Sequence, residues 1–162
     1  NQTIQITGRR IAHTWQGRET NQVYRLAIPI GNLAAFPACK FGVYIMSHHA
    51  GGVVAIGLAD EVTPVTNSQQ PGWFPHSIGY HSDDGKVYVN RPNSTTVVSV
   101  PCTGAGTLMV CGIVAGRVVF YRNSVLVHAG PTLQELGQED TQHLFPSIGI
   151  DGATVDVYIP QQ

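Results

Sequence analysis

Seven histidines, three cysteines and the pair Asp83-Asp84 are the residues of this chain that could bind a metal or move a proton. His48-His49 together with His76 and His81 would be the material of a metal centre. A metal needs ligands that converge on one point, and adjacent residues of an extended segment point to opposite sides. No acidic or cysteine ligand stands at a useful spacing from them, so no metal site is expected. His81 and Asp83, at i and i+2, would share one face of a strand and could pair as base and acid. However, Asp83-Asp84-Gly85 is also what a tight turn requires, and a structural role is the reading favoured here. Ser77, Ser147 and the cysteines lie in no nucleophile elbow. Cys111 sits within an apolar run, as an inert core thiol would. Gly104-Ala105-Gly106 lacks the lysine of a phosphate-binding loop. The chain is therefore expected not to be an enzyme and to use no cofactor.

The elements that would hold these residues are short strands. Ile78, Tyr80 and Ser82 alternate with Gly79 and His81, and Val87 and Val89 alternate with Lys86, Tyr88 and Asn90. Between them Asp84-Gly85 tolerates φ > 0, which is the signal of a tight antiparallel hairpin. Upstream, strands are predicted near 2–7, 10–15 and 23–29, with a loop over 33–40. A strand over 41–46, a turn at 47–52, an apolar strand over 53–58 and a long polar loop over 60–72 come next. Downstream of the hairpin, strands are expected over 95–100, 107–115, 117–122, 125–128, 144–150 and 153–159. The loop over 130–142 has room for one helical turn at 133–136. No segment keeps a helical period, and many short strands at this spacing mean a β-sandwich or barrel.

The length of 162 residues suits a single domain spanning 1–162. Charged residues make up only 12% of the chain, against about 25% in an average domain, and the net charge is −1. A nucleic-acid binder would carry a basic patch, so no nucleic-acid partner is expected. No apolar run is long enough to span a bilayer, so no membrane partner is expected either. Three unpatterned cysteines suit a reducing, cytoplasmic compartment.

The hairpin Ser77-Ile78-Gly79-Tyr80-His81-Ser82-Asp83-Asp84-Gly85, preceded by Trp73, resembles the centre of a SPRY domain. Gly106, Leu108, Met109, Cys111, Gly116, Phe120 and Asn123 resemble the family's second hairpin. Val54-Ala55-Ile56-Gly57-Leu58-Ala59 and Leu144-Phe145-Pro146-Ser147-Ile148-Gly149-Ile150 are similar to two further strands. The matches run in family order across about residues 40–160, with residues 1–32 adding N-terminal strands. Thr107, Val110, Val114 and Ser124 depart from the family pattern, which marks a divergent member.

The resemblance implies an all-β, bent sandwich of two antiparallel sheets of the concanavalin-like jelly-roll type. It also implies a non-catalytic protein–protein interaction module that recognises a peptide or loop of a partner, and a scaffold role within a larger multidomain protein. Its binding loops would lie at one edge. They are expected over 33–40 with Phe36, Pro37 and Lys40, over 47–52 with His48 and His49, over 60–71 with Val62, Asn67, Gln69 and Gln70, and at the bend Ile150-Asp151-Gly152. Phe36 and Ile150 are the expected apolar anchors. Trp73 and Tyr80 are expected to be structural. The alternative is a lectin-like, carbohydrate-binding sandwich, and the exposure of the Trp73 ring discriminates between the two.

Overall fold

The computed structural model describes residues 10–15, 21–35, 38–61, 69–90, 93–102, 104–138 and 140–159. The strand expected near 2–7 lies outside them, as do Phe36, Pro37, Val62 and Asn67. The described residues form eleven strands: β1 (Arg10–His13), β2 (Gln22–Arg25), β3 (Ala34–Ala35), β4 (Ala38–Asp60), β5 (Ser77–His81), β6 (Lys86–Asn90), β7 (Asn93–Val97), β8 (Leu108–Val114), β9 (Arg117–Arg122), β10 (Val125–Thr132) and β11 (Leu144–Tyr158). A single 3₁₀ turn covers Ile30–Asn32.

All strand pairings are antiparallel, and together they make one sheet that curls back on itself. Two strands carry the curl. β4 pairs with β8 through residues 39–44 and with β5 through residues 55–59. β11 follows β4 along almost its whole length, meeting β2 with one half and β1 with the other. One layer therefore reads β7-β6-β5-β4-β11-β2, and the other reads β10-β9-β8-β4-β11-β1. Their facing sides form one apolar core that includes Phe41, Ile45, Ile56, Tyr80, Phe120 and Ile148. Tyr80 of the first layer meets Phe120 of the second at 5.8 Å between ring centres. The Tyr80 hydroxyl is satisfied by Ser99 Oγ at 2.7 Å and Cys102 Sγ at 3.3 Å. The structural role expected for Tyr80 is what it has.

The period-2 pattern places the hairpin as expected, with Gly85 at φ +66° and its N–H on His81 O at 3.0 Å. Two further hairpins use two-residue turns with φ > 0 at both positions, Ala115-Gly116 and Asn123-Ser124. Such turns match the twist of the flanking strands. Ser124 adopts the left-handed conformation itself, at φ +68°, so the turn survives the loss of the family glycine.

Two expectations are corrected. The predicted turn at 47–52 and its flanking strands are one continuous strand, β4. Within it residues 49–52 bulge opposite the single residue Gly152, since Val53 pairs with Asp151 and His48 with Ala153. Polar residues and Gly51-Gly52 gave a turn signal, but both ends of the bulge stay hydrogen-bonded to β11. Within the loop expected over 33–40, Ala34–Ala35 form β3 and pair antiparallel with Ala38–Cys39 at the start of β4.

On the central strands β4, β5 and β11, the outer side of the first layer is made mostly of small residues: Ala55, Gly57, Ala59, Ser77, Gly79, Ser147 and Gly149. Residues 69–76 cross this side as a strap. A Cβ on Gly79 would stand 2.2 Å from Pro71 O, so the strap sits directly on the sheet. Phe74 on the strap closes a small second apolar cluster with Val23 and Ala59. This is why every residue of β5 is buried, where alternation predicts one wet face.

Candidate partner-binding site

The site is built where the two layers join. The β4 bulge, the bend of β11 at Gly152 and the end of β1 meet around an open cleft of about 480 Å³, and the turn after β5 reaches His48 through Ser82. Gly152 takes φ +60°, which a side chain rarely adopts, and this lets β11 pass the bulge. Without side chains, Gly51 and Gly152 also leave a seat for the Trp15 ring. The ring lies parallel to the His49 imidazole, 4.9 Å between centres and 14° between planes.

Backbone groups fix the histidines. His48 Nδ1 lies 2.7 Å from His49 O, a carbonyl that can only accept, so Nδ1 carries the proton. His48 Nε2 then accepts from Ser82 Oγ at 2.9 Å, and Ser82 Oγ accepts from the Val54 N–H at 2.7 Å. His49 Nδ1 accepts from the Gly51 N–H at 3.0 Å, leaving Nε2–H free to donate outward when the ring is neutral. His13 Nδ1 stands 3.2 Å from the Gly152 N and 3.3 Å from Asp151 Oδ1. It accepts from Gly152 when neutral and pairs with Asp151 when protonated. His48 and His49 thus point apart, and among the described residues no metal-binding cluster forms.

Of the residues singled out in the sequence, His48, His49 and Asp151 come together here. Asp151 is buried under His13 rather than presented to solvent. Ile150 has no accessible surface and belongs to the core, so the apolar anchor expected there is corrected. Strand alternation explains it: Asp151 faces out of the layer and Ile150 faces in. Lys40 lies far along β4, with its ammonium 4.6 Å from the Tyr121 ring centre. Eight residues of strand, or roughly 26 Å of path, separate it from His48. Gln69 is half-buried at the start of the strap, and Gln70 is fully buried against Gly149. Neither joins the cleft.

The sequence reading missed His13, Trp15 and Ser82. A spacing of i, i+2 between His13 and Trp15 at the end of a short strand was the available signal. It lacked force because nothing local says that β1 lies beside β11.

His81 is sealed. Its Nε2 donates to Pro71 O at 2.7 Å, while Trp73 and Tyr88 cover the ring. Burial depresses its pKa to about 4, against smaller opposing effects of the Pro71 carbonyl and Asp84. Nδ1 has no partner among the described residues, so a proton there would be buried and unpaired. Burial and the neighbouring Asp84 raise the Asp83 pKa. The Trp73 ring, expected to close a core edge, is instead 39% exposed on the outside of the strap.

Comparison with known proteins decides the family. The SPRY domain pattern matches residues 38–162. The chain belongs to the SPRY family. The human SPRY domain-containing protein 3 is 31% identical over 117 residues, 68% of this chain and 24% of that protein. Ran-binding protein 10 of Danio rerio is 29% identical over 125 residues, 75% of this chain and 19% of that protein. The chain thus spans about a quarter or less of the curated relatives it matches. A crystal structure of a human SPRY domain superimposes with a TM-score of 0.73 at 23% identity, covering 98% of this chain and 96% of that one. The bent β-sandwich expected from the resemblance is the fold observed, and the family is one of protein-interaction modules. Among the described residues, no helix is long and apolar enough to cross a membrane.

Proposed function

We propose that this SPRY domain captures a peptide or loop of a partner protein in the cleft beside Trp15 and His49, without catalysis. The observation that carries the reading is the Trp15–His49 stack, a rigid aromatic surface at the mouth of an open cleft. Aromatic anchors of this kind dominate binding energies at recognition sites. His49 Nε2–H, with the hydroxyls of Ser47 and Thr154, supplies the polar contacts that would orient a backbone. A non-catalytic role fits Ser82, the one hydroxyl paired with a histidine here, because it is fully buried. A reducing, cytoplasmic setting fits the buried free thiols of Cys102 and Cys111.

Peptides selected from a random display library on the wild-type domain test this reading. Trp15→Ala, with its fold verified by circular dichroism, is expected to weaken them by about 30-fold, the roughly 2 kcal/mol of an aromatic hot spot. Peptides that bind both proteins equally would place recognition elsewhere on the sandwich.

A further inference from the structure

The geometry around Trp73 points to a second binding site, one for a neutral sugar. Four observations converge there. First, the ring is presented rather than buried, at 39% exposure. Second, its orientation is fixed. Tyr88 meets it edge-on at 6.0 Å and 89°, and His81 lies beneath it at 5.3 Å. The Trp73 backbone is held by its own N–H on Gln70 O and by Asn90 Nδ2 on Trp73 O, both at 2.9 Å. Third, the ring borders an open cleft of about 470 Å³, within the range of about 300–1,000 Å³ usual for small-ligand sites. Fourth, the polar groups of that cleft are amide and hydroxyl groups. Asn90 has an amide oxygen not used by the Trp73 contact, and Ser94 and Thr95 are exposed on β7.

Among the described residues, none that lines this cleft carries a charge. The Tyr88 hydroxyl donates to Asp84, and burial and Asp84 both push its pKa up. Among the described residues, a charged phosphate or acidic peptide would find no counterion lining this cleft. A sugar ring offers what the cleft lacks: C–H groups for the aromatic face and hydroxyls for Asn90, Ser94 and Thr95. Because the ring is already immobile, little side-chain freedom is lost on binding. The cleft shares no lining residue with the one beside Trp15, so it stands or fails independently of the partner-binding reading.

The test is a titration of the ¹⁵N-labelled domain with lactose, maltose, cellobiose and chitobiose. Each is taken to roughly 10 mM, about tenfold above a 1 mM dissociation constant. The two indole N–H signals are assigned with Trp15→Phe. At least one disaccharide is expected to shift the Trp73 signal while leaving that of Trp15 in place. Trp73→Ala should weaken binding at least tenfold, and Trp73→Phe should restore part of it. Thr95→Arg, an exposed edge-strand change that fills the cleft without touching the core, should abolish it. An unmoved Trp73 signal with all four sugars overturns the proposal, as does a shift that persists unchanged in Thr95→Arg.

Discussion

The outer sides of the two layers share the strands β4 and β11 yet are finished in opposite ways. On the central strands β4, β5 and β11 of the first layer the outward residues are mostly Gly, Ala and Ser, and the strap 69–76 lies on them. On the second, large residues dominate: Tyr44, Leu108, Val110 and Tyr158 stand with Gly42 around an open groove of about 530 Å³, and Tyr121 pairs beside Val110. A sheet side built from small residues has no apolar area of its own to hide, so it gains by accepting a covering segment at close range. A side built from large residues shields its own backbone and needs no cover. The size of the outward residues therefore decides which side acquires a second, minor core. That minor core in turn holds Trp73 at the surface.

Three measurements would break or sharpen this contrast. Phe74→Ala empties the strap cluster and is expected to cost about 3 kcal/mol in urea unfolding, the lower end for a buried phenylalanine. If the loss is only a few tenths, the strap is a passive cover and not part of the folded unit.

The second measurement concerns His81, sealed on the strap side, with a folded pKa of about 4 against an ordinary value of 6.5. Between those values the unfolded chain holds a proton that the folded chain refuses. Stability is therefore full above about pH 6.5 and falls as the pH drops toward 4, by about 3 kcal/mol at most. His81→Gln should flatten that part of the stability–pH curve. A curve of unchanged slope would assign the acid sensitivity to other groups.

On the open side, Val110→Thr should change stability by less than about 0.5 kcal/mol, as for an ordinary surface position. A larger loss would mean that this side is covered as well.

Much of the fold was legible because it is written locally. Alternation at Ile78 and Tyr80, the Asp84-Gly85 turn and the run 54–59 each declare a strand or a hairpin without reference to the rest. The joining of the two layers was not legible in this way. Nothing in His48-His49-Ala50-Gly51-Gly52 distinguishes a turn from a bulge. The distinction depends on Asp151 and Ala153, about a hundred residues away, which keep both flanks hydrogen-bonded. The same holds for the site. His48, His49 and Asp151 could be picked out by residue type, whereas Trp15 became a candidate only once β1 was seen to pair with β11. Ile150 and Trp73 differ from expectation for different reasons. Ile150 faces the main core because alternation along β11 turns it inward, whereas the exposure of Trp73 is settled by a strap whose sequence reads as a loop.

The pairing of β11 also sets an order of events during synthesis. Among the described residues, β1 and β2 take strand partners from β11 alone, the last described strand. Both must leave the ribosome and wait for this partner until more than a hundred further residues have been made. These early strands are thus among the last elements of the domain to find their place. A topology so dominated by distant contacts folds slowly, on a scale of roughly milliseconds to seconds.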